Sequence, residues 1–457
     1  MCRSFKFRTA YQGLIVSYVI LVVFMSPFTF ADSNSSSQKP VAEIVSKAVR
    51  EHRILYKLTT LDEFKQIAGQ PMKETIKTEG GLEMCSVIYP DVSAMFGKVK
   101  GTAVPFTILG LAGKGGSFDI GKHRQIVLRD VNDLTKFDPF WGFVNMSLVN
   151  LDLRNHKQLL DDMSFDTRTK WPEPSKLPKG FDPARLLEEG KNPGLGIRGL
   201  HKRGIDGRGV AIAILDQPVL TNHQEYAGKI INYEGVSARR SSIEGPPVIS
   251  IAVGKSCGVA PAAGVYYYAL PKTALPDNAI YCDIINKIIK INESAGTSEK
   301  IRVVNISTGT FEQQIHFDRW KETLVKANEN GILVVTCDPA FLDYGPLERI
   351  PERDADDPSG YKAGKLSRAD NVLRVPAGNR TTANNVATDT YTFWGTGGNN
   401  WAAPYLTGLA ALAFQVDPKI KPDEIVKLWI ETAVKTDAGP IVNPPGFIDA
   451  VQKIREK

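Results

Sequence analysis

The sequence predicts an α/β fold, a parallel sheet with helices on both faces, preceded by a small α+β N-terminal domain. Three observations predict it. From Gly207 onward, continuously apolar runs such as GVAIAILD, RVVNIST and ILVVTC alternate with helical stretches. Such runs are typical of parallel strands that are buried on both faces. Before them, a helical start (VAEIVSKAVREHRILYKL) precedes short β-like runs, FVNMSLVNLDL among them, and a proline-rich segment, TKWPEPSKLPKGFDP, separates the two patterns.

The first segment of the chain has the features of a secretory signal. Residues 1–31 begin with the basic stretch MCRSFKFR, continue with the apolar core LIVSYVILVVFM and end in SPFTFA. A membrane span needs about 20 apolar residues, and this core is shorter. We therefore expect export with cleavage near Ala31, and an uncleaved N-terminal anchor is the alternative.

The remaining chain divides by composition into four segments. The predicted segments are a polar linker at 32–45, a small α+β domain at 46–155, a proline-rich connection at 156–195 and the α/β domain at 196–457. A length of 457 residues is suited to two domains.

Charge and cysteine content exclude several classes of function. The formal net charge is +6, three of the basic residues lie in residues 1–31, and no run of Lys or Arg occurs. Binding to nucleic acid or to an anionic membrane surface is therefore not indicated. Cysteines follow Cys2 at four positions without a CxxC pair, which argues against zinc or thioredoxin-like chemistry. Their pairing stays open: Cys85, Cys257, Cys282 and Cys337.

Sites in parallel sheets lie at the carboxyl ends of the strands. The strand GVAIAIL ends in Asp216, and a later strand leads into Ser307, Thr308 and Gly309. The stretch GTGGNNWAAPYLTGLAAL, which begins at Gly395, reads as a tight glycine turn that enters a buried helix. A nucleophile is expected at such a helix start, yet the turn offers two asparagines and no serine or cysteine.

The ordered set of segments resembles the subtilisin-like serine peptidases, the subtilase family. GRGVAIAILD is similar to the strand that ends in the catalytic aspartate, and GVAPAAGVYYYAL resembles the family's GVAP-strand. VVNISTG resembles one wall of the substrate cleft, and NNWAAPYLTGLAAL resembles the nucleophile helix with its GTSMAAP motif. The resemblance covers residues 196–457 and implies a subtilisin-like peptidase domain there.

Carried over position by position, the resemblance keeps one catalytic residue. It places Asp216 at the aspartate position, Glu244 at the histidine position, where EGPPV replaces HGTHV, and Asn400 at the serine position, four residues before Pro404. The position of the oxyanion asparagine falls near Ala340, in a stretch without asparagine. In the family, the strand that matches Ser307, Thr308 and Gly309 pairs with an extended substrate peptide.

These replacements predict a catalytically degenerate member, a pseudoprotease that binds a peptide or protein in the leftover cleft. A carboxamide is not a nucleophile, and a glutamate of ordinary pKa is a poor base for a serine hydroxyl. An active serine-type endopeptidase with an altered or misaligned site is one alternative. A structural or assembly protein that acts through its N-terminal domain is the other.

Other residues do not restore the site. The sedolisins, which resemble subtilisin in fold, need a second acid one turn after their glutamate, and Val248 stands there. His201, His223 and His316 are expected to lie off the site, and Thr407 on the packed face of its helix. We also expect Pro246 and Pro247 to disturb the start of the helix that follows Glu244.

No cofactor is expected. Calcium at the acidic loop ERDADDPSGY is the only metal considered, and the loop lacks the full spacing of a calcium-binding loop.

Overall fold

A computed structural model describes residues 40–456, except 52, 80–81, 100–103, 114–115, 118–124, 138, 238–240, 272–276, 295, 297–299, 310 and 368–370. The chain forms two compact units, Met1–Phe181 and Asp182–Lys457. The division falls inside the predicted connection at 156–195. The predicted signal peptide, and residues 32–39 of the predicted linker, lie outside the described residues.

The first unit is the predicted small α+β domain, built on a five-stranded antiparallel sheet of order β1-β2-β3-β4-β5. Its elements are α1 (Val41–Arg50), α2 (Leu61–Ala68), β1 (Lys73–Glu79), β2 (Leu82–Ile88), β3 (Val92–Val99), β4 (Thr107–Gly113), β5 (Gly116–Ser117), β6 (Ile126–Val127), β7 (Met146–Ser147), α3 (Lys157–Asp162) and β8 (Phe165–Asp166).

The core of this unit is formed by alternate side chains of the strands, which all point to the same face of the sheet. Cys85 and Val87 of β2 and Phe96 of β3 point to one face of the sheet, as residues two apart on a strand must. There they pack with Val45 of α1 and Phe64 of α2, and all five side chains are fully buried. The hydrophobic core of the sheet therefore lies between its strands and these two helices.

Two sequence-based expectations for this unit are wrong in extent. The helical start predicted from Val41 to Leu58 ends at Arg50, and the chain then turns into α2. The run FVNMSLVNLDL forms a strand only at Met146–Ser147. Leu148, Leu151 and Leu153 of this run are buried outside any of the named strands, so burial alone explains their hydrophobicity.

The second unit contains the predicted parallel sheet. Its helices are α4 (Pro183–Glu189), α5 (Ile197–Lys202), α6 (Gly245–Val253), α7 (Ala279–Ser294), α8 (Phe317–Glu329), α9 (Asn399–Val416), α10 (Pro422–Glu431) and α11 (Pro444–Arg455). Its strands are β9 (Ala211–Asp216), β10 (Ile230–Gly235), β11 (Gly264–Ala269), β12 (Ile301–Ile306), β13 (Leu333–Thr336), β14 (Tyr344–Arg349), β15 (Tyr361–Ala363), β16 (Leu373–Gly378), β17 (Arg380–Ala383), β18 (Tyr391–Trp394), β19 (Val434–Thr436) and β20 (Gly439–Ile441).

Five parallel strands in the order β10-β11-β9-β12-β13 form the centre of this unit. Ala213 of β9 and Val304 of β12 pack in one cluster with Ile285 of α7 and Trp320 of α8. The helices α6 and α9 pack against each other and also contact β9, and α9 contacts β12 as well. Both the fold class and the small α+β unit before it are thus confirmed.

A second, mixed sheet of order β15-β14-β16-β20-β19 follows, and β17 and β18 pair as an antiparallel hairpin. The helix α9 also contacts β14 and β16 of this sheet. None of the helices in the described part of the chain combines the length and hydrophobicity that crossing a bilayer requires.

Candidate functional site

The carboxyl ends of the central strands meet at one edge of the sheet. Asp216 is the last residue of β9 and pairs in register with Ala269 of β11. Ile306 ends β12 opposite Thr336 of β13. The segments that follow these strands are therefore brought together, as the parallel arrangement requires.

Two of the candidate residues are in direct contact. Asn400 is the second residue of α9, and its Nδ2 donates a hydrogen bond of 3.3 Å to Oε2 of Glu244, the residue immediately before α6. The negative charge of Glu244 in turn acts on Asp216. The structure thus brings Asp216, Glu244 and Asn400 into one cluster at the carboxyl edge of the sheet.

The pKa of Asp216 is unusually high for an aspartate. Burial in the surrounding protein is the main cause, and the charge of Glu244 adds to it, so the pKa of Asp216 rises to about 7. One hydrogen bond opposes this shift, because the Gln217 N–H donates to Asp216 Oδ1 at 2.6 Å and favours the ionised form. Asp216 therefore titrates near neutral pH.

The glycine turn before α9 determines where the two asparagines lie. A Cβ on Gly397 would lie 2.2 Å from the Ala377 carbonyl oxygen, so only glycine lets the backbone come this close. Asn399 is buried, and its Nδ2 donates to the Tyr344 carbonyl oxygen at 3.0 Å. Asn399 therefore anchors the turn, while the half-buried Asn400 faces Glu244.

The helix after Glu244 accommodates both of its prolines. It begins at Gly245, with Pro246 and Pro247 in its first turn. The N–H groups of a first turn have no intrahelical acceptor, so proline loses nothing there. The expectation that these prolines disturb the helix start is therefore wrong.

The turn at the predicted oxyanion position presents an acceptor. The Ala340 N–H donates to Asp338 Oδ1 at 2.9 Å, and the Asp338 N–H donates to Thr336 Oγ1 at 3.2 Å. No residue from Cys337 to Leu342 carries a carboxamide. A carboxylate in this turn opposes a developing negative charge, whereas an oxyanion site needs donors.

The segment after β12 has unpaired backbone groups. Thr308 is bonded on both sides, since its N–H donates to the Ile306 carbonyl at 2.7 Å and its carbonyl accepts from the Cys337 N–H at 2.8 Å. Within the described residues, the N–H and C=O groups of Ser307 and the N–H of Gly309 form no hydrogen bond. Ser307 is half-buried, and Gly309 is buried.

Histidines and threonines elsewhere have partners away from the cluster. The imidazole Nε2 of His223 lies 2.9 Å from the Thr390 carbonyl, and that of His201 lies 2.8 Å from the Val259 carbonyl. His316 Nδ1 lies 2.7 Å from Asp277. Thr407 is buried, as expected, and donates to Asn305 Oδ1 at 2.9 Å.

The acidic loop uses its carboxylates on its own backbone. Asp354 accepts the Asp356 N–H at 2.9 Å, and Asp357 accepts the Ser359 N–H at 2.8 Å. Across the described ranges, no group of three or more His, Cys, Asp or Glu side chains is placed to hold a metal ion.

Gln217 is a site residue that the sequence reasoning missed. Its side-chain Oε1 is buried without a partner among the described residues, and its backbone carbonyl accepts from the Tyr267 hydroxyl at 2.5 Å. The available signal was its place directly after the strand-ending Asp216.

No family model matches the sequence. Among solved structures, the chain is similar to the prenylagaramide maturation protease PagA, at 17% identity over 56% of this chain and 98% of that chain, with a TM-score of 0.44. The subtilase cytotoxin SubAB is 18% identical over 57% of this chain and 96% of that chain, with a TM-score of 0.44. A cold adapted subtilisin-like serine proteinase is 18% identical over 52% of this chain and 89% of that chain, with a TM-score of 0.40. The sheet order and the helices described above give residues 182–457 an α/β fold with a central parallel sheet.

Proposed function

We propose that residues 182–457 are a pseudoprotease, a subtilisin-like domain without serine-type catalysis that binds an extended peptide or protein segment. The hydrogen bond from Asn400 to Glu244 carries the proposal. It joins the side chains at the nucleophile and base positions, and neither can do the chemistry required there. The lone pair of an amide nitrogen is delocalised, so Asn400 is not a nucleophile. Glu244 accepts a hydrogen bond from this amide and not from the hydroxyl of a nucleophile.

The remaining parts of the catalytic arrangement have also changed. Serine-type catalysis needs an ionised aspartate to stabilise the imidazolium, and a pKa raised to about 7 leaves Asp216 partly protonated at neutral pH. The turn near Ala340 offers a carboxylate where a donor is needed. Loss of one such donor alone costs about 10²–10³ in rate.

The unpaired backbone groups of the half-buried Ser307 support peptide binding. A peptide that adds as a strand gains main-chain hydrogen bonds without any catalytic group. The ligand class is therefore an extended polypeptide, with affinity from its backbone. We further propose that the chain is exported, because residues 1–31 have the composition of a signal peptide.

One observation favours the alternative of an enzyme with an altered mechanism. The charge of Glu244 contributes to the raised pKa of Asp216, and two neighbouring carboxyl groups can act as acid and base toward a water molecule. Casein hydrolysis between pH 5 and 7 that disappears in Asp216→Asn would support this alternative and contradict the pseudoprotease.

The test of inactivity combines labelling with rescue. We expect a fluorophosphonate probe to leave residues 182–457 unlabelled, and ester turnover to be at background in the wild type, Asn400→Ser and Glu244→His. The double variant restores base and nucleophile beside Asp216, so slow turnover becomes possible. Labelling of the wild type, or turnover equal to that of the double variant, contradicts the proposal.

The test of binding uses fluorescein-labelled peptides from a casein digest. Ser307→Pro removes the N–H group that we expect to pair with the peptide, whereas the matched control Ser307→Ala removes only the hydroxyl. We expect Ser307→Pro to weaken binding by about threefold to tenfold or more, the range of one hydrogen bond. Equal affinities of both variants would show that peptides do not pair with this segment.

A further inference from the structure

A chain of side-chain hydrogen bonds joins the helix α9 to the segment that follows β12. Asn305 lies in β12, and its side chain is fully buried. Its Oδ1 accepts a hydrogen bond from Thr407 Oγ1 at 2.9 Å, and its Nδ2 donates to Ser307 Oγ at 2.9 Å. Thr407 belongs to α9, and Ser307 is the first residue after β12. Asn305 therefore connects a buried helix position to the segment with unpaired backbone groups.

The helix fixes the position of the Thr407 hydroxyl. Thr407 is fully buried, and its Oγ1 lies 3.0 Å from the carbonyl oxygen of Ala403, one turn earlier in α9. A threonine hydroxyl that bonds the carbonyl one turn earlier is restricted in its side-chain rotamer. The Asn305 amide is therefore held by a hydroxyl group that cannot move freely.

The backbone of Asn305 is fixed as well. Asn305 pairs in register with Ile214 of β9 and with Val335 of β13, so it lies inside the central sheet. Its neighbours Val304 and Ile306 are buried and apolar. A buried carboxamide costs free energy unless it is hydrogen-bonded, and asparagine is depleted in strands. Packing alone therefore does not account for an asparagine here, whereas its two side-chain hydrogen bonds do.

The bond from Asn305 restricts what the Ser307 hydroxyl can do. Ser307 is half-buried, and its Oγ uses an acceptor position for Asn305 Nδ2. A serine hydroxyl has one hydrogen to donate, and within the described residues that of Ser307 is donated to no protein group. The backbone N–H and C=O of Ser307 are unpaired in the same sense. The hydroxyl is thus oriented by Asn305 and keeps its hydrogen for an acceptor outside the described protein.

We infer that Asn305 and Thr407 are positioning residues of the peptide site, which orient Ser307 Oγ so that its O–H donates to a carbonyl oxygen of the bound peptide. The inference rests on the peptide binding proposed above and adds a side-chain contact to it. An extended peptide that pairs with Ser307 brings its own carbonyl groups to this segment. Thr407 and Asn305 do not contact the peptide and act on it only through Ser307.

Ser307→Ala tests the contact of the hydroxyl with the fluorescein-labelled casein peptides. We expect this variant to bind about twofold to tenfold more weakly than the wild type, the range of one hydrogen bond. Ser307→Pro also lacks the N–H and should bind more weakly still. Wild-type affinity in Ser307→Ala together with weak binding in Ser307→Pro would overturn the inference and leave the main-chain pairing intact. Absence of binding by the wild type would overturn the proposed function itself and the inference with it.

A double-mutant cycle tests the positioning roles. Thr407→Val removes the hydroxyl and leaves Asn305 Oδ1 without its donor. We expect it to weaken peptide binding about twofold or more in the wild type, and to have no further effect in Ser307→Ala, where the hydroxyl to be oriented is absent. Thr407→Ser keeps the hydroxyl and should bind with wild-type affinity.

Equal weakening by Thr407→Val in both backgrounds would show that Thr407 acts through the packing of α9 alone, and would overturn the inference. A purely structural loss cannot depend on the Ser307 hydroxyl, so the cycle separates the two roles. The comparison of Ser307→Ala with the wild type involves no fully buried residue, and it can overturn the inference even if Thr407→Val fails to fold.

Discussion

Asp216, Glu244 and Asn400 form a small group of two acids and one amide at the carboxyl edge of the sheet. The amide of Asn400 donates a hydrogen bond to Glu244. Burial, and to a smaller extent the charge of Glu244, favour the protonated form of Asp216. The raised pKa of Asp216 thus follows from its place at the end of β9, close to the start of α6.

The raised pKa of Asp216 predicts a dependence of stability on pH. An aspartate in the unfolded chain has a pKa of about 3.9, and the folded value is about 7. Folding therefore favours the protonated form, and its contribution is complete below about pH 4 and lost as pH rises through 7. One pKa unit corresponds to about 1.4 kcal/mol, so the loss is at most about 4 kcal/mol.

We expect Asp216→Asn to gain stability relative to the wild type between pH 5 and pH 8, because asparagine does not titrate. Urea unfolding at the two pH values measures the change. Asp449→Asn alters an exposed aspartate and serves as the matched control with a wild-type pH profile. Parallel profiles for Asp216→Asn and the wild type would show that Asp216 is ionised throughout.

At the scale of secondary-structure elements, α2 is fixed by a reciprocal cap. Thr60 Oγ1 accepts the Glu63 N–H at 3.2 Å, and Glu63 Oε2 accepts the Thr60 N–H at 2.7 Å. Two of the N–H groups at this helix start thereby gain acceptors. Such a cap stabilises a helix of only eight residues, which would be marginal alone.

Removal of this cap should destabilise α2 locally. We expect Thr60→Ala to cost about 1 kcal/mol, seen as faster hydrogen exchange at the amides of Leu61–Ala68. Thr60→Ser keeps the hydroxyl and should exchange at nearly the wild-type rate. Equal protection of α2 in the alanine variant and the wild type would mean that packing of Phe64 alone fixes this helix.

The sequence predicts the central strands well and the first unit less well. The strands β9, β12 and β13 are buried on both faces, so hydrophobicity alone marks them. In the first unit the hydrophobic run that contains Leu148 and Leu151 packs without forming a ladder, and a hydrophobicity pattern cannot distinguish these outcomes. The stretch TLDE, which begins at Thr60, is the sequence signal for the start of α2.

The prediction of the candidate site rests on the order of the motifs along the sequence. The order of motifs indicates that Asp216, Glu244 and Asn400 meet, since each follows or begins an element at the same edge. The contact between Asn400 and Glu244 could not be read from the sequence, because it joins side chains 156 residues apart. The same holds for the pKa of Asp216, which depends on burial by distant segments.

At the scale of the whole molecule, the fold does not depend on the catalytic groups. The core of the second unit consists of apolar side chains between the parallel sheet and its helices. Replacement of a few polar residues at the carboxyl edge removes little apolar burial, which is the main stabilising contribution. An α/β domain of this kind can therefore remain folded when the polar residues at that edge change.

The proposed inactivity of the second unit also predicts how the chain is processed. Active relatives in the resembled family commonly release an N-terminal segment by their own cleavage, and a domain without a nucleophile cannot do so. We expect the mature protein to begin near Asp32 and to keep residues 32–195 attached, which intact-mass spectrometry of the secreted form can establish.

Asp216→Asn, expressed in the same host, is the control: a cut made by host proteases persists in this variant. A cut between the units that is present in the wild type and absent from Asp216→Asn would show that the domain cleaves its own chain, since Asp216 would then be acting in catalysis.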